Sequence, residues 1–208
     1  MALRIGQGGL VLTALHNLAF GAGEARLLLG PSGCGKTTLL MTLAGLIPPV
    51  SGDVLLDGIR LGALTQTQRD RLRGLQIGLV FQDIHGVAGV SVLANVLLGA
   101  FAVGVPQDRA RAMHLLDRVG MAPLAARRFE TLSRGEAQRV AIARALLLSP
   151  TVILADEPTA SLDDANAEKI ADLLLSMASE AGAALIIATH DQRLRGRVGA
   201  VVDMAAST

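Results

Sequence analysis

Gly30-Pro31-Ser32-Gly33-Cys34-Gly35-Lys36-Thr37-Thr38 fits G-x-x-x-x-G-K-[ST], the loop that wraps the phosphates of a nucleoside triphosphate. The apolar run Leu27-Leu28-Leu29 precedes it and Leu39-Leu40-Met41 follows it, so a strand feeds the loop and a helix leaves it. Gly30, Gly33 and Gly35 leave room for backbone N–H groups to turn inward, and the helix opening near Lys36 adds its positive end. Lys36 is placed to reach the outer phosphates, and the Thr37 hydroxyl to ligate Mg²⁺. The plain alternative is a glycine-rich turn before an ordinary helix, and the flanking strand and helix argue against it. Lysine usage agrees: of 19 lysines and arginines only Lys36 and Lys169 are lysine, so a slim point charge sits where the loop needs one.

Length and composition narrow the remaining possibilities. The 208 residues suffice for one large domain or two small lobes with a sizeable core. A net charge of +1 gives no strongly basic surface for nucleic acid. Hydrophobic residues make up 51% and mean hydropathy is +0.48, which suggests excess apolar surface covered by a partner. Yet Ala183–Ala188 is only strand length, and Ser91–Val105 is interrupted by Asn95, Gly99 and Gly104. Neither approaches the ~20 uninterrupted apolar residues of a membrane helix. Met1-Ala2-Leu3-Arg4-Ile5-Gly6 does not read as a signal peptide, so a cytoplasmic chain is expected. Cys34 is the single cysteine, which excludes an internal disulfide and a cysteine metal cluster.

No internal repeat or flexible linker divides the chain. Short strands are predicted over about residues 10–20, 25–29 and 53–61, joined by turns such as Pro48–Gly52 and Asp57-Gly58. Ile77–Phe81 reads as another buried strand. Helices are predicted near 91–100, 108–119 and 134–148, followed by a strand at 151–155, a helix at 164–180, and strands at 184–189 and 199–203. Alternating strands and helices on both sides of a helical insert indicate an α/β fold, mainly a parallel sheet, with a helical lobe.

Three further motifs carry chemistry. Val152–Ala155 is a buried strand ending in Asp156 and Glu157. Parallel sheets bind ligands at the carboxyl ends of their strands. There one carboxylate can hold Mg²⁺ through water and the next can polarise an attacking water. Read alone, two acids after a strand are more often a cap or loop; the phosphate loop upstream favours the functional reading. Thr189-His190-Asp191 ends the strand Leu185–Ala188, and by itself His190 reads as a satisfied polar residue. Ser133 and Glu136 have capping-box spacing at the start of a helix, whose N–H groups could also meet an anion.

Taken together, these residues resemble the nucleotide-binding subunit of an ATP-binding cassette (ABC) transporter, in order and spacing across nearly the whole chain. Gly30–Thr37 resembles its Walker A loop and Gln82 its Q-loop glutamine. Leu132–Glu136 is similar to the LSGGQ signature, and Val152–Asp156 with Glu157 to Walker B and the catalytic glutamate. Ser161-Leu162-Asp163 resembles the D-loop and His190 the switch histidine, which overturns the plain reading of that residue. The resemblance implies a P-loop NTPase core with an N-terminal antiparallel β subdomain and a helical subdomain inserted over about residues 83–149, all within one domain, 1–208. It also implies ATP hydrolysis, with ATP and Mg²⁺ as cofactors.

The implied roles follow residue by residue. Gly30, Pro31, Ser32, Gly33, Cys34, Gly35, Lys36, Thr37 and Thr38 would bind nucleotide, as would Ser133, Gly135, Glu136 and Asp163. Glu157, His190 and Gln82 would be catalytic. Thr37, Gln82 and Asp156 would surround the metal. Two copies would pair head to tail, the partner's Ser133 and Gly135 N–H meeting the γ-phosphate held by one phosphate loop. Gln82 would link the metal to transmembrane permease subunits at the inner face of the cell membrane. Gly78–Gln82, His85 and Ala155–Thr159 further resemble the lipoprotein-release and macrolide-export group, implying extraction or mechanical signalling rather than uptake.

Two departures stand out. Arg134 occupies a position where the family usually has glycine; with Ser133 and Gly135 intact, its side chain is expected to point away from the phosphates, and slower hydrolysis becomes an expectation. The chain has no Tyr or Trp, and none of Phe20, Phe81, Phe101 and Phe129 lies near residues 7–12, where the family stacks a ring on adenine. Such a stack is worth roughly 1–3 kcal/mol by analogy with nucleic-acid bases, so weak base selectivity is expected. Arg134 motivates an alternative, an ATP-gated dimerising clamp with little turnover that signals through a membrane partner. A cassette acting on ribosomes or DNA is disfavoured by the missing basic patch.

Overall fold

The computed structural model describes residues 2–7, 10–16, 19–160 and 162–204, with side chains from Ala19 onward. Strand β1 (Ala2–Gln7) pairs antiparallel with β2 (Leu10–His16), forming a separate two-stranded sheet. Then come β3 (Ala25–Leu29), α1 (Lys36–Leu43), and the short strands β4 (Leu55–Leu56) and β5 (Ile59–Arg60). Helix α2 (Gln66–Gln76) leads into β6 (Ile77–Val80), and α3 (Val92–Val103), α4 (Arg109–Arg118) and α5 (Arg134–Leu146) follow. The chain returns through β7 (Val152–Asp156), α6 (Asp164–Glu180), β8 (Ala184–Thr189) and β9 (Ala200–Asp203).

The main sheet is five-stranded and wholly parallel, in the order β6-β7-β8-β3-β9. Its strands are apolar at nearly every position because helices cover both faces. Side chains alternate across the sheet with period two. Leu27, Leu29, Ile153, Ala155, Leu185 and Ile187 join the core shared with α3 to α6. Leu28, Leu154, Ile186 and Ala188 face the other way, onto Leu39 and Leu40 of α1, Leu56 and Met204. The α/β reading therefore holds. Among the described residues, no helix is long and apolar enough to cross a membrane.

Four local expectations change. β1 is an added strand, and the strand read over 10–20 ends at His16. The stretch 53–61 is not one strand but a tight hairpin, turned by Asp57 (φ 48) and Gly58 (φ 77). Both turn residues adopt left-handed backbone, which Asp-Gly tolerates. α2 is a helix not anticipated; its N-cap Thr65 forms a capping box with Gln68. The segment around 7–12, read above for an adenine-stacking ring, lies outside the described side chains. Phe20, the nearest ring in sequence, lies beneath the guanidinium of Arg26 at 5.2 Å, near the amino-terminal end of β3.

Buried polar groups organise the segment after β6. Asn95 is fully buried in α3; its amide donates to the Val87 and Ser91 carbonyls (both 3.1 Å) and accepts from the Val87 N–H (2.7 Å). Arg144 of α5 donates to the His85 carbonyl, and the His85 ring meets Phe81 edge-on at 5.9 Å. The chain following Gln82 is thereby attached to two helices.

Candidate nucleotide-binding site

The site forms where β3, β6, β7 and β8 end. β3 runs directly into the phosphate loop, and the Gly30 N–H donates to the Thr189 carbonyl at the end of β8 (3.3 Å). Gly33 (φ 81) and Gly35 (φ 96) hold left-handed conformations that a side chain would strain. Gly35 is the residue preceding α1, so the first N–H groups of that helix open toward the loop. Lys36 is buried on the first turn. Its ammonium donates to the carbonyls of Gly30 (2.7 Å) and Pro31 (3.0 Å) and lies 3.4 Å from a Glu157 oxygen.

Asp156 and Glu157 leave β7 in different environments. Burial pushes the Asp156 carboxyl above the ordinary aspartate value; a hydrogen bond from Thr37 opposes this, Glu157 adds to it and Lys36 opposes it. Asp156 Oδ1 is buried without a hydrogen-bond partner among the described residues. Glu157 has φ 45, and its N–H donates to the Ala188 carbonyl (2.8 Å). Its carboxylate is held on both oxygens: Oε2 accepts from the Thr189 hydroxyl (2.8 Å), and Oε1 lies 2.9 Å from His190 Nδ1. A cleft of about 530 Å³ opens here, lined by Gln82, Glu157, Thr159, Thr189 and His190 among others.

The loop Gly30–Thr38, Gln82, Asp156, Glu157 and His190 thus converge on one end of the sheet. Ser133 and Glu136 instead bind each other at the start of α5, Glu136 Oε2 accepting from the Ser133 N–H (2.7 Å) and hydroxyl (2.8 Å). These bonds hold the Glu136 carboxyl below the ordinary glutamate range. Asp163 caps α6 by accepting from Asn166. Gly135 leaves open space, the nearest neighbour of an added Cβ being Leu162 at 4.0 Å. Ser161 lies outside the described residues. Arg134 turns back within its own chain and donates to the Gln82 carbonyl (3.0 Å). Thr189 was not singled out by sequence, although a hydroxyl directly before His190 was visible there. Arg193 pairs with Asp191 and Asp164, and Arg197 with Glu168 and Asp172.

A glycine-turned loop, a buried lysine and two carboxylates at the end of β7 make an arrangement suited to phosphate. The sequence pattern described as ABC transporter matches residues 15–160. The chain belongs to the ABC transporter family. Within it, the chain is 44% identical to the lipoprotein-releasing system ATP-binding protein LolD of Paramagnetospirillum magneticum, covering 98% of this chain and 91% of that protein. It is 41% identical to an uncharacterized ABC transporter ATP-binding protein of Mycobacterium tuberculosis, over 89% of this chain and 75% of the relative. In structure it is similar to a dimeric ATP-binding cassette in a post-hydrolysis state bound to ADP and phosphate. That likeness has a TM-score of 0.83 and 33% identity, covering 97% of this chain and 90% of that one. As an ABC transporter's ATP-binding subunit, the protein is an ATPase.

Proposed function

We propose that this chain powers an export- or extraction-type ABC transporter, working as a homodimer beneath membrane permease subunits at the cytoplasmic face. The 44% identity to a lipoprotein-releasing ATP-binding protein along 98% of the chain supports the extraction reading most directly. Residues 1–208 act as one nucleotide-binding domain, with a helical subdomain over about 83–149 inserted in the ATPase core.

In this reading Lys36 gives up the Gly30 and Pro31 carbonyls for the β- and γ-phosphates of ATP, while loop N–H groups take the remaining oxygens. Glu157 then accepts the proton of the attacking water, and His190 moves from the Glu157 carboxylate to the γ-phosphate. Attack by water forms a new P–O bond, breaks the bond to the β-phosphate oxygen, and leaves ADP and phosphate. The partner's Ser133 and Gly135 close the site, with Glu136 and Asp163 holding those segments in position. Thr37, Gln82 and the unpartnered Oδ1 of Asp156 suit a hard cation, and these residues would hold Mg²⁺. When bound, that ion neutralises developing phosphate charge.

The clamp reading, ATP-gated closure with little turnover, is favoured by one observation. Arg134 occupies the signature and ties it to Gln82 within the chain. The two readings separate in membrane vesicles holding the co-purified permease and a fluorescent acylated protein. Extraction predicts ATP-dependent release that Glu157→Gln abolishes. Release insensitive to Glu157→Gln favours the clamp, and no release with steady hydrolysis counts against acylated cargo.

A further inference from the structure

We infer that Thr189 is a positioning residue for ATP hydrolysis, whose hydroxyl fixes the orientation of the Glu157 carboxylate; this rests on Glu157 acting as the water-activating base. Thr189 is the last residue of β8, which lies between β7 and β3, and its side chain is fully buried. From there it touches three parts of the site. Its hydroxyl donates to Glu157 Oε2 (2.8 Å) and accepts from the Asp191 N–H (3.0 Å). Its main-chain carbonyl accepts from the Gly30 N–H at the start of the phosphate loop (3.3 Å).

A hydroxyl has one hydrogen to give and two lone pairs. With the Asp191 N–H on one lone pair, the Thr189 hydrogen is directed to the carboxylate. The other contacts of that carboxylate are groups with a second task. Lys36 and His190 both approach Oε1, and in the proposed mechanism both turn to phosphate when ATP binds. Thr189 needs no movement, because β8 is locked in the sheet by β3 on one side and β7 on the other. It is the contact that persists while the others change partners, holding Oε2 so that Oε1 faces the water. The backbone of Glu157 stands in the left-handed region (φ 45), and its N–H bond to Ala188 brings the residue back to the same strand.

The plain alternative is that Thr189 is a satisfied buried polar residue ending a strand. The two separate on which kinetic constant moves. Charge-assisted hydrogen bonds contribute about 1.5–3 kcal/mol, so losing this one is expected to slow turnover about ten- to a hundred-fold. The test uses the full-length chain, its ATP affinity, kcat and melting temperature measured for Thr189→Val, Thr189→Ser and, as a control, Glu157→Gln. Thr189→Val should lower kcat by that factor at unchanged ATP affinity, and Thr189→Ser should recover kcat to within about threefold of the original. Wild-type kcat in Thr189→Val with an inactive Glu157→Gln would overturn the role of Thr189 and leave that of Glu157 standing. Wild-type kcat in both would overturn the base assignment as well. Loss of ATP affinity together with kcat, not recovered by serine, would reduce Thr189 to packing. Should valine unfold the chain, Thr189→Cys keeps the size with only a weak donor. Full activity in that variant overturns the proposal, and a partial loss supports it.

Discussion

Arg134 Nη2 donates to the main-chain carbonyl of Gln82 across 3.0 Å, tying the first turn of α5 to the residue line that leaves β6. The bond uses the Gln82 carbonyl rather than its amide, so the tie and the cleft-lining side chain are separable. Any main-chain movement of Gln82 then pulls on the first turn of α5 in the same chain.

Arg134→Gly should therefore cut this tie and restore the small residue usual at the signature. Lost helix propensity and one lost hydrogen bond predict a stability decrease of about 1–2 kcal/mol. Turnover at saturating ATP is expected to rise. Thermal melting and steady-state phosphate release check both, and a fall in turnover would remove Arg134 as the brake.

The capping box of α5 makes stability respond to acid. Hydrogen bonds from the Ser133 N–H and then its hydroxyl lower the Glu136 value below 4.5. A depressed carboxyl contributes stability that is complete above its unfolded value and lost as pH falls through the lower folded value. Ser133→Ala should destabilise by about 1 kcal/mol at neutral pH. Urea unfolding in steps below pH 4.5 should show that gap narrowing. A gap that stays constant into strong acid would contradict the reciprocal cap.

Asn95 is the test of the segment beyond Gln82. Replacing it with alanine removes the side-chain partner of both polar groups of the Val87 main chain, while the Ser91 carbonyl keeps its main-chain bond from residue 95. A loss on the order of 2 kcal/mol is expected, with ATP affinity retained. Denaturant midpoints together with nucleotide titration measure the two separately. Loss of ATP affinity at intact stability would show that this segment contacts the nucleotide.

Base selectivity should be weak. The chain has no Tyr or Trp, and Phe20 is engaged by Arg26. GTP is expected to displace labelled ATP at nearly equal concentration. A strong preference for ATP would place a recognition element elsewhere in the chain.

What could be read from sequence followed from burial and punctuation. β3, β7 and β8 are short apolar runs that end in Gly30, Asp156 and His190, so strand, turn and chemistry coincide. α2 escaped because Gln66–Gln76 carries Arg69, Arg71 and Arg73 with Leu72 and Leu75 as its only large apolar residues; no position is fully buried. Its Thr65–Gln68 capping box was the available signal. The site motifs were legible as types at strand ends, but their contacts were not. Thr189 meets Glu157 across 32 residues and Arg134 meets Gln82 across 52, and no local pattern encodes such distances. The orientation of Arg134 was anticipated only as pointing away; its acceptor emerged from the packing of α5 beside β6.

Sedimentation velocity on the Glu157→Gln variant tests the shared pocket most directly. With Mg²⁺ and saturating ATP, the 21.5 kDa chain should sediment at twice its mass and return to monomer when Lys36→Ala is added. A species that binds ATP fully yet remains at 21.5 kDa, with its membrane partner present or absent, would contradict a site completed by two copies.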